Sequence, residues 1–354
     1  MQENNNQNTV EIPFEFTGTA GEYFRIWIIN VVLTILTLGI YTAWAKVRKK
    51  RYFYGNTLLL GDHFEYLANP VAILRGRLLV LGIILMFTFG ISIFPPLLLL
   101  ILPLSVLLFP WIVMKAFAFK TRYSSYRNIR FNFAGTYSES FGIFFGLGIL
   151  SYIFTLGLAY PYFVYRRNEF IVDNSSYGTS KFTLNAPVKK FYGIYIKTAL
   201  LGLLLSIIAL SFLFPLMLPF FGDHTPEEFE TASSPVSDYF NTFYSGIVSL
   251  FIFVYIRTST LNLVWSNTTI ARSRFRSTLE LKRMFWIYVS NILAILFSFG
   301  LLAPWASIRM TRYRLNNVAL IAVDDFDTFV AGEQNRVSSA GEEISEFFDF
   351  DIGL

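Results

Sequence analysis

One bend signature occurs three times in this chain and constrains its fold more than any other feature. The first copy is Thr37-Leu38-Gly39, followed by Trp44, Arg48, Tyr52 and Asn56. The second is Thr155-Leu156-Gly157 with Tyr162, Arg166, Phe170 and Asn174, and the third is Ser298-Phe299-Gly300 with Trp305, Arg309, Tyr313 and Asn317. Counted from each glycine, the aromatic falls at +5, the arginine at +9, the second aromatic at +13 and the asparagine at +17, with no gap in any copy. Self-similarity at fixed offsets predicts internal repetition. Gly39, Gly157 and Gly300, helped by Pro161 and Pro304, predict that the helix breaks at each copy.

Each break lies inside an apolar segment (26–45, 141–164 and 285–308) of about 20 residues or more, long enough to span a bilayer. Four unbroken segments, 71–94, 97–118, 190–221 and 240–265, meet the same criterion. The composition agrees, since 54% of the chain is hydrophobic, 18% aromatic and only 15% charged. Such a balance points to a membrane protein rather than a globular one. The absence of cysteine excludes disulfides and thiolate metal sites, and two histidines, His63 and His224, cannot make a histidine cluster. Met1–Asn8 is polar and does not read as a cleaved signal peptide.

The units follow from the repeat. Residues 1–11 read as a disordered tail, 12–128 as unit one, 129–268 as unit two, 269–332 as a truncated unit three, and 333–354 as an acidic disordered tail. Short alternating stretches, such as Phe14-Glu15-Phe16 and Phe131-Asn132-Phe133, read as strands. Tyr52–Leu60 with Phe64–Leu67, Phe170–Val172 with Lys181–Leu184, and a stretch within Arg312–Val330 read as hairpins. The expected fold class is therefore a mainly α-helical polytopic membrane protein with broken helical hairpins and a small cytoplasmic sheet.

Charge patterning bears on topology. The Pro95-Pro96 turn and the acidic loop 222–238 contain no lysine or arginine. If all seven segments cross, the basic residues divide almost evenly between the two sides. If segments 26–45, 141–164 and 285–308 enter and return, the basic connections share one face, as the positive-inside rule prefers. Four full spans are the favoured reading, and seven ordinary spans the alternative. Both termini are then expected in the cytoplasm.

The stretches Leu36-Thr37-Leu38-Gly39-Ile40-Tyr41, Ala43-Trp44-Ala45-Lys46-Val47-Arg48, Arg51-Tyr52-Phe53-Tyr54 and Ile73-Leu74-Arg75-Gly76-Arg77 resemble the YjgN-like family of bacterial inner-membrane proteins, a domain of unknown function. The resemblance implies a multi-pass protein of the bacterial inner membrane and brings no catalytic or substrate residues.

No acid/base or nucleophile constellation is visible, so an enzyme is not expected and neither is a cofactor or metal. No Asp or Glu falls inside an apolar segment, which disfavours coupling through a buried carboxylate. Asn30 and Asn291, each nine residues before a repeat glycine, read as hydrogen-bonding glue between helices or as the polar lining of a solute site. Arg48, Arg51, Arg166, Arg309 and Arg312 read as interface anchors or as a basic collar for anionic headgroups or an anionic solute. Membrane lipids, anionic ones included, are the expected partners, and nucleic acid is not. The leading expectation is a transporter or channel-like protein for a small or anionic solute; the alternative is a non-enzymatic anionic-lipid-binding or scaffold protein.

Overall fold

The computed structural model describes residues 9–217, 235–323 and 326–349. β1 (Val10–Phe16) leads into α1 (Ala20–Leu36) and α2 (Thr42–Gly55), which returns the chain to β2 (Thr57–Leu59). After a tight turn, β3 (Asp62–Tyr66) leads out through α3 (Pro70–Ile93) and back through α4 (Leu98–Arg122) to β4 (Ser124–Tyr126). The same excursion follows from β5 (Ile129–Phe133) through α5 (Tyr137–Thr155) and α6 (Tyr160–Asp173) to β6 (Ser175–Tyr177). β7 (Ser180–Leu184) is joined to β8 (Thr268–Ile270) by α7 (Val188–Met217) and α8 (Pro235–Ser266). Finally β9 (Ser273–Ser277), α9 (Leu281–Phe297), α10 (Ala303–Asn316) and β10 (Val318–Ala322) precede α11 (Phe326–Asp349).

The strands are not a small sheet, and this corrects the expected fold class. All ten described strands pair antiparallel with their neighbours, and β1 pairs with both β2 and β10, so the sheet closes into a barrel. Closure follows from the helical excursions: each begins and ends at the same rim, so the strands on either side of it lie adjacent. The same seam bond closes all five. Thr17 N donates to Asn56 O (3.0 Å), Leu67 N to Tyr123 O (2.8 Å), Ala134 N to Asn174 O (2.8 Å), Asn185 N to Asn267 O (2.8 Å) and Thr278 N to Asn317 O (3.0 Å). A closed sheet leaves no edge unpaired, which lets strands of three to seven residues persist.

Several expected boundaries shift. The aromatic runs assigned to hairpins, Tyr52–Tyr54 and Phe170–Val172, belong to the last turns of α2 and α6, and β2 and β6 start only after them. Residues 312–330 hold the end of α10, one strand and the start of α11 rather than a hairpin. The segment expected as a C-terminal disordered tail is helical through Asp349. β1 begins at Val10, inside the expected N-terminal tail. Most of the acidic loop, residues 222–234, lies outside the described residues.

The three bends share one backbone geometry. Leu38 and Gly39 (φ 49° and 91°), Leu156 and Gly157 (51° and 86°), and Phe299 and Gly300 (51° and 89°) are all left-handed. Two successive left-handed residues end the helix in a single step, and glycine takes the second without a Cβ penalty. The hydroxyl two residues before each glycine then closes the turn onto the residue that precedes the returning helix: Thr37 Oγ1 accepts from Tyr41 N (2.9 Å), Thr155 Oγ1 from Ala159 N (3.0 Å) and Ser298 Oγ from Leu302 N (3.0 Å). Pro161 and Pro304 sit in the first turn of α6 and α10, where a missing N–H costs nothing. The apolar residue at each tip is almost fully exposed, Leu38 at 95%, Leu156 at 92% and Phe299 at 98%.

Five described helices are long and apolar enough to cross a membrane: α3, residues 95–122 including α4, α5, and the apolar parts of α7 and α8. Four coincide with the unbroken segments. The fifth, α5, is the outgoing arm of the middle bent excursion; α6 brings the chain back to β6, which pairs with β5. Around the rim, helices pack in chain order from α1 to α3 and from α4 to α10, and α10 packs on α1; α3 and α4 are joined mainly through the Pro95–Leu97 turn.

Candidate functional site

Strand alternation places every second side chain inside the barrel. At the middle of the interior stand five phenylalanines, one from each odd-numbered strand: Phe14, Phe64, Phe131, Phe182 and Phe275. Their rings form a closed pentagon, with centroids 6.1 Å apart for Phe14–Phe64, 6.5 Å for Phe64–Phe131, 6.3 Å for Phe131–Phe182, 6.2 Å for Phe182–Phe275 and 6.4 Å for Phe275–Phe14. Adjacent ring planes differ by only 15° to 36°, so the five rings lie nearly parallel, like the leaves of an iris. With van der Waals radii counted, such a pentagon leaves an opening of about 4 Å. The even strands add Leu59, Tyr126, Tyr177, Ile270 and Leu320. These ten side chains, with Trp265 and Phe326, line a partly open apolar cavity of about 160 Å³. Tyr126 Oη donates to Leu59 O (2.6 Å) and Tyr177 Oη to Tyr126 O (3.1 Å), which satisfies both hydroxyls inside the wall. Burial pushes the Tyr126 phenol up to about 12, so it stays protonated at neutral pH.

α11 covers the end of the barrel remote from the helical excursions. Phe326, Phe329 and Val330 pack against the interior cluster. Glu333, fully buried, grips the β6–β7 turn: its carboxylate accepts from Thr179 N (2.7 Å), Thr179 Oγ1 (2.8 Å) and Ser180 Oγ (2.8 Å), and Arg336 Nη1 lies 3.0 Å away. Burial alone would raise this carboxyl, but those hydrogen bonds outweigh it and hold it below the usual carboxylate range. Gly178 makes the approach feasible, because a Cβ there would stand 2.6 Å from Glu333 Oε2 and the residue has φ +57°. Arg127, at the β4–β5 turn, forms ion pairs with both Asp62 and Asp327, and Gln334 Nε2 donates to Arg127 O (3.1 Å).

The residues expected to form a polar lining and a basic collar are distributed differently. Asn291 is buried between α9 and α10, donating to Ala306 O (3.2 Å) and accepting from Arg309 Nη1 (3.2 Å). Asn30 is buried in α1, its Oδ1 unpaired. Arg48 Nη1 donates to Tyr41 Oη (3.1 Å). Arg51 reaches the carbonyls of Tyr66 (3.3 Å) and Ala68 (3.4 Å), tying the first excursion to the second. Arg166 is paired with Glu169. Arg309 and Arg312 share a cavity, a cleft of about 620 Å³ between α9 and α10 that also contains Arg283, Glu280 and Trp305. The corresponding cleft of the middle excursion, about 520 Å³, holds Arg166 among Glu139, Glu169 and Asp173.

Sequence reasoning missed the phenylalanine ring, Glu333, Arg127 and Arg283. A signal existed for Glu333: Phe326, Phe329, Val330 and Glu333 fall at helical spacing on one face. Phe64 and Phe182 are the single inward aromatics at the centres of five-residue strands, and nothing local distinguishes them.

The family described as "Bacterial protein of unknown function (DUF898)" matches residues 11–347. The inner membrane protein YjgN of Escherichia coli O157:H7 is 30% identical over 161 residues, 44% of this chain and 40% of that protein. Its namesake in Salmonella typhimurium LT2 is 30% identical over 139 residues (38% and 34%), and that of Escherichia coli K12 is 47% identical over 62 residues (17% and 16%). The aligned segments thus span less than half the length of these curated relatives. No solved structure matches the chain. With several apolar helices of spanning length and relatives named as inner membrane proteins, the chain is a membrane protein and belongs to the DUF898 family.

Proposed function

We propose that this protein is a channel-like conduit for a small solute in the bacterial inner membrane, with its path along the barrel axis and its resting state closed. The observation that carries this reading is the pentagon of Phe14, Phe64, Phe131, Phe182 and Phe275 around an apolar cavity of about 160 Å³. A purely structural core would be filled to crystal-like density. An apolar cavity of about this size stays dry, and hydrophobic constrictions close pores by expelling water. α11, held at the outer end by Glu333 and Arg127, forms a second closure in series.

The topology is part of the proposal. Internal repetition supplies five excursions from one rim. α3/α4 and α7/α8 cross the membrane as pairs, and the three bent excursions dip in with Leu38, Leu156 and Phe299 at their tips. The barrel and both termini then lie on the cytoplasmic side, with the basic connections, as the positive-inside rule prefers.

Planar-bilayer conductance and liposome efflux of small ions test the reading. Phe131→Ser with Phe182→Ser, combined with removal of residues 324–354, is expected to conduct where the parent chain is silent. Silence of that variant, with the barrel shown intact by circular dichroism, would sink the conduit. The anionic-lipid reading is favoured by a separate observation, the three arginines of the α9–α10 cleft, and does not depend on conduction.

A further inference from the structure

We infer that the cleft between α9 and α10 is a binding site for a phosphate-bearing anion, and that it is one site rather than one of three. It deepens the anionic-lipid reading and stands whether or not the barrel conducts.

The three bent excursions provide an internal comparison. Aligned on their seam bonds, Glu22, Glu139 and Arg283 hold one position of the outgoing helix, and Arg51, Glu169 and Arg312 hold one position of the returning helix. In the middle excursion the cleft therefore carries one arginine against three acids, and Arg166 is neutralised by Glu169. In the third, a cleft of similar size carries three arginines against Glu280 alone. The first excursion keeps Glu22 in the place of Arg283, where it accepts a hydrogen bond from Tyr52 Oη (3.0 Å); its Arg51 donates to backbone carbonyls, as Arg312 also does. Of the three, the third excursion is the one with an arginine at this position of the outgoing helix, and its cleft gathers three.

The guanidinium groups there are also positioned. Arg309 is half-buried, lies 5.1 Å over the Trp305 ring, and fixes Nη1 on Ser290 Oγ (2.6 Å) and Asn291 Oδ1 (3.2 Å). Arg312 fixes Nη2 on Gly18 O (2.7 Å). Each keeps N–H groups beyond those bonds, in a planar fork suited to phosphate oxygens. Arg283 stands exposed on the α9 wall of the same cleft. A cavity of about 620 Å³ accommodates a headgroup rather than a single water-sized ion. Exposed Leu296, Phe297 and Trp286 on the same helix provide an apolar flank for acyl chains. The shared chemistry is the phosphate group, and its source is either a glycerophospholipid headgroup or free phosphate.

The test is native mass spectrometry of the delipidated full-length chain titrated with short-chain phosphatidylglycerol, short-chain phosphatidylcholine or inorganic phosphate. One phosphatidylglycerol is expected to bind per chain in preference to phosphatidylcholine. Arg283→Glu, an exposed substitution, should weaken that binding by about tenfold or more, the loss of one charged contact. Arg283→Lys should largely restore it, and Arg166→Ala should leave it unchanged. Displacement of the lipid by millimolar phosphate assigns the site to free phosphate, and failure to displace it assigns the site to the headgroup. Wild-type binding by Arg283→Glu overturns the inference. So does an equal loss in Arg166→Ala, which would make the attraction a property of overall charge.

Discussion

Replacing Glu333 with glutamine removes one charge at the α11 end of the barrel and little volume. The carboxylate accepts three hydrogen bonds from the β6–β7 turn, at 2.7 Å, 2.8 Å and 2.8 Å. Bonds to a charged acceptor contribute about 1.5–3 kcal/mol each. The amide keeps one acceptor oxygen, and the Thr179 and Ser180 hydroxyls can rotate to accept from its NH₂, so the net loss is about 3 kcal/mol. Phe326, Phe329 and Val330 still bury their side chains, at about 1.5–3 kcal/mol apiece. The helix should therefore remain docked but open about a hundredfold more often. Hydrogen exchange reads this directly: amide protection across 326–338 should fall by roughly two orders of magnitude, while that of β9 and β10 holds. Unchanged protection in α11 would refute this role for the Glu333 carboxylate. An equal fall throughout the strands would refute it in another way, because the carboxylate would then support the barrel as a whole.

The same carboxyl sets a pH dependence. Its folded pKa lies below the ordinary 4.5, so its contribution to docking is fully present above about pH 4.5 and is lost as the pH falls through the lowered value. Amide protection in α11, taken relative to intrinsic exchange at each pH, should fall in that acid window and stay constant between pH 6 and 8. Arg127→Ala removes the pairs to Asp62 and Asp327, whose carboxylates are half-exposed, so solvent screening limits the cost to about 1 kcal/mol in chemical denaturation. Gly300→Ala meets no neighbouring atom but needs φ +89°, so strain alone should cost about 1–2 kcal/mol, measurable as a lower unfolding midpoint in detergent. Gly178→Ala adds a clash with Glu333 Oε2 at 2.6 Å and should loosen α11 as Glu333→Gln does.

The bends were legible because their chemistry is local: a hydroxyl, an apolar residue and a glycine within three positions fix the turn's closing hydrogen bond, the exposed tip and the left-handed step. The long apolar helices were legible from length alone. Barrel closure was not. β2, β4, β6 and β8 have three residues each, too few for a period-two pattern, and their pairing depends on distant excursions ending at one rim. The aromatic ring was hidden for the same reason, since its five members are spread from residue 14 to residue 275. The arginine positions were visible, but their unequal partners were not. Arg51 and Arg312 look alike in sequence and each donates to a backbone carbonyl of the next excursion, Ala68 O and Gly18 O, yet Arg312 shares its cleft with Arg283 where the first excursion carries Glu22. α11 was misjudged because its glycine, serine and acidic residues outweighed the apolar face formed by Phe326, Phe329 and Val330.

In the proposed topology every excursion leaves and rejoins the same rim, with all ten strands on one side of the membrane. The chain has no cysteine, so single-cysteine labelling with a membrane-impermeant maleimide measures this directly. In intact cells Phe94→Cys, at the far end of α3, should label, while His63→Cys, Lys181→Cys and Arg274→Cys should label only once the membrane is opened. Labelling of Lys181→Cys from outside while His63→Cys stays protected would place β7 and β3 on opposite faces and contradict the barrel.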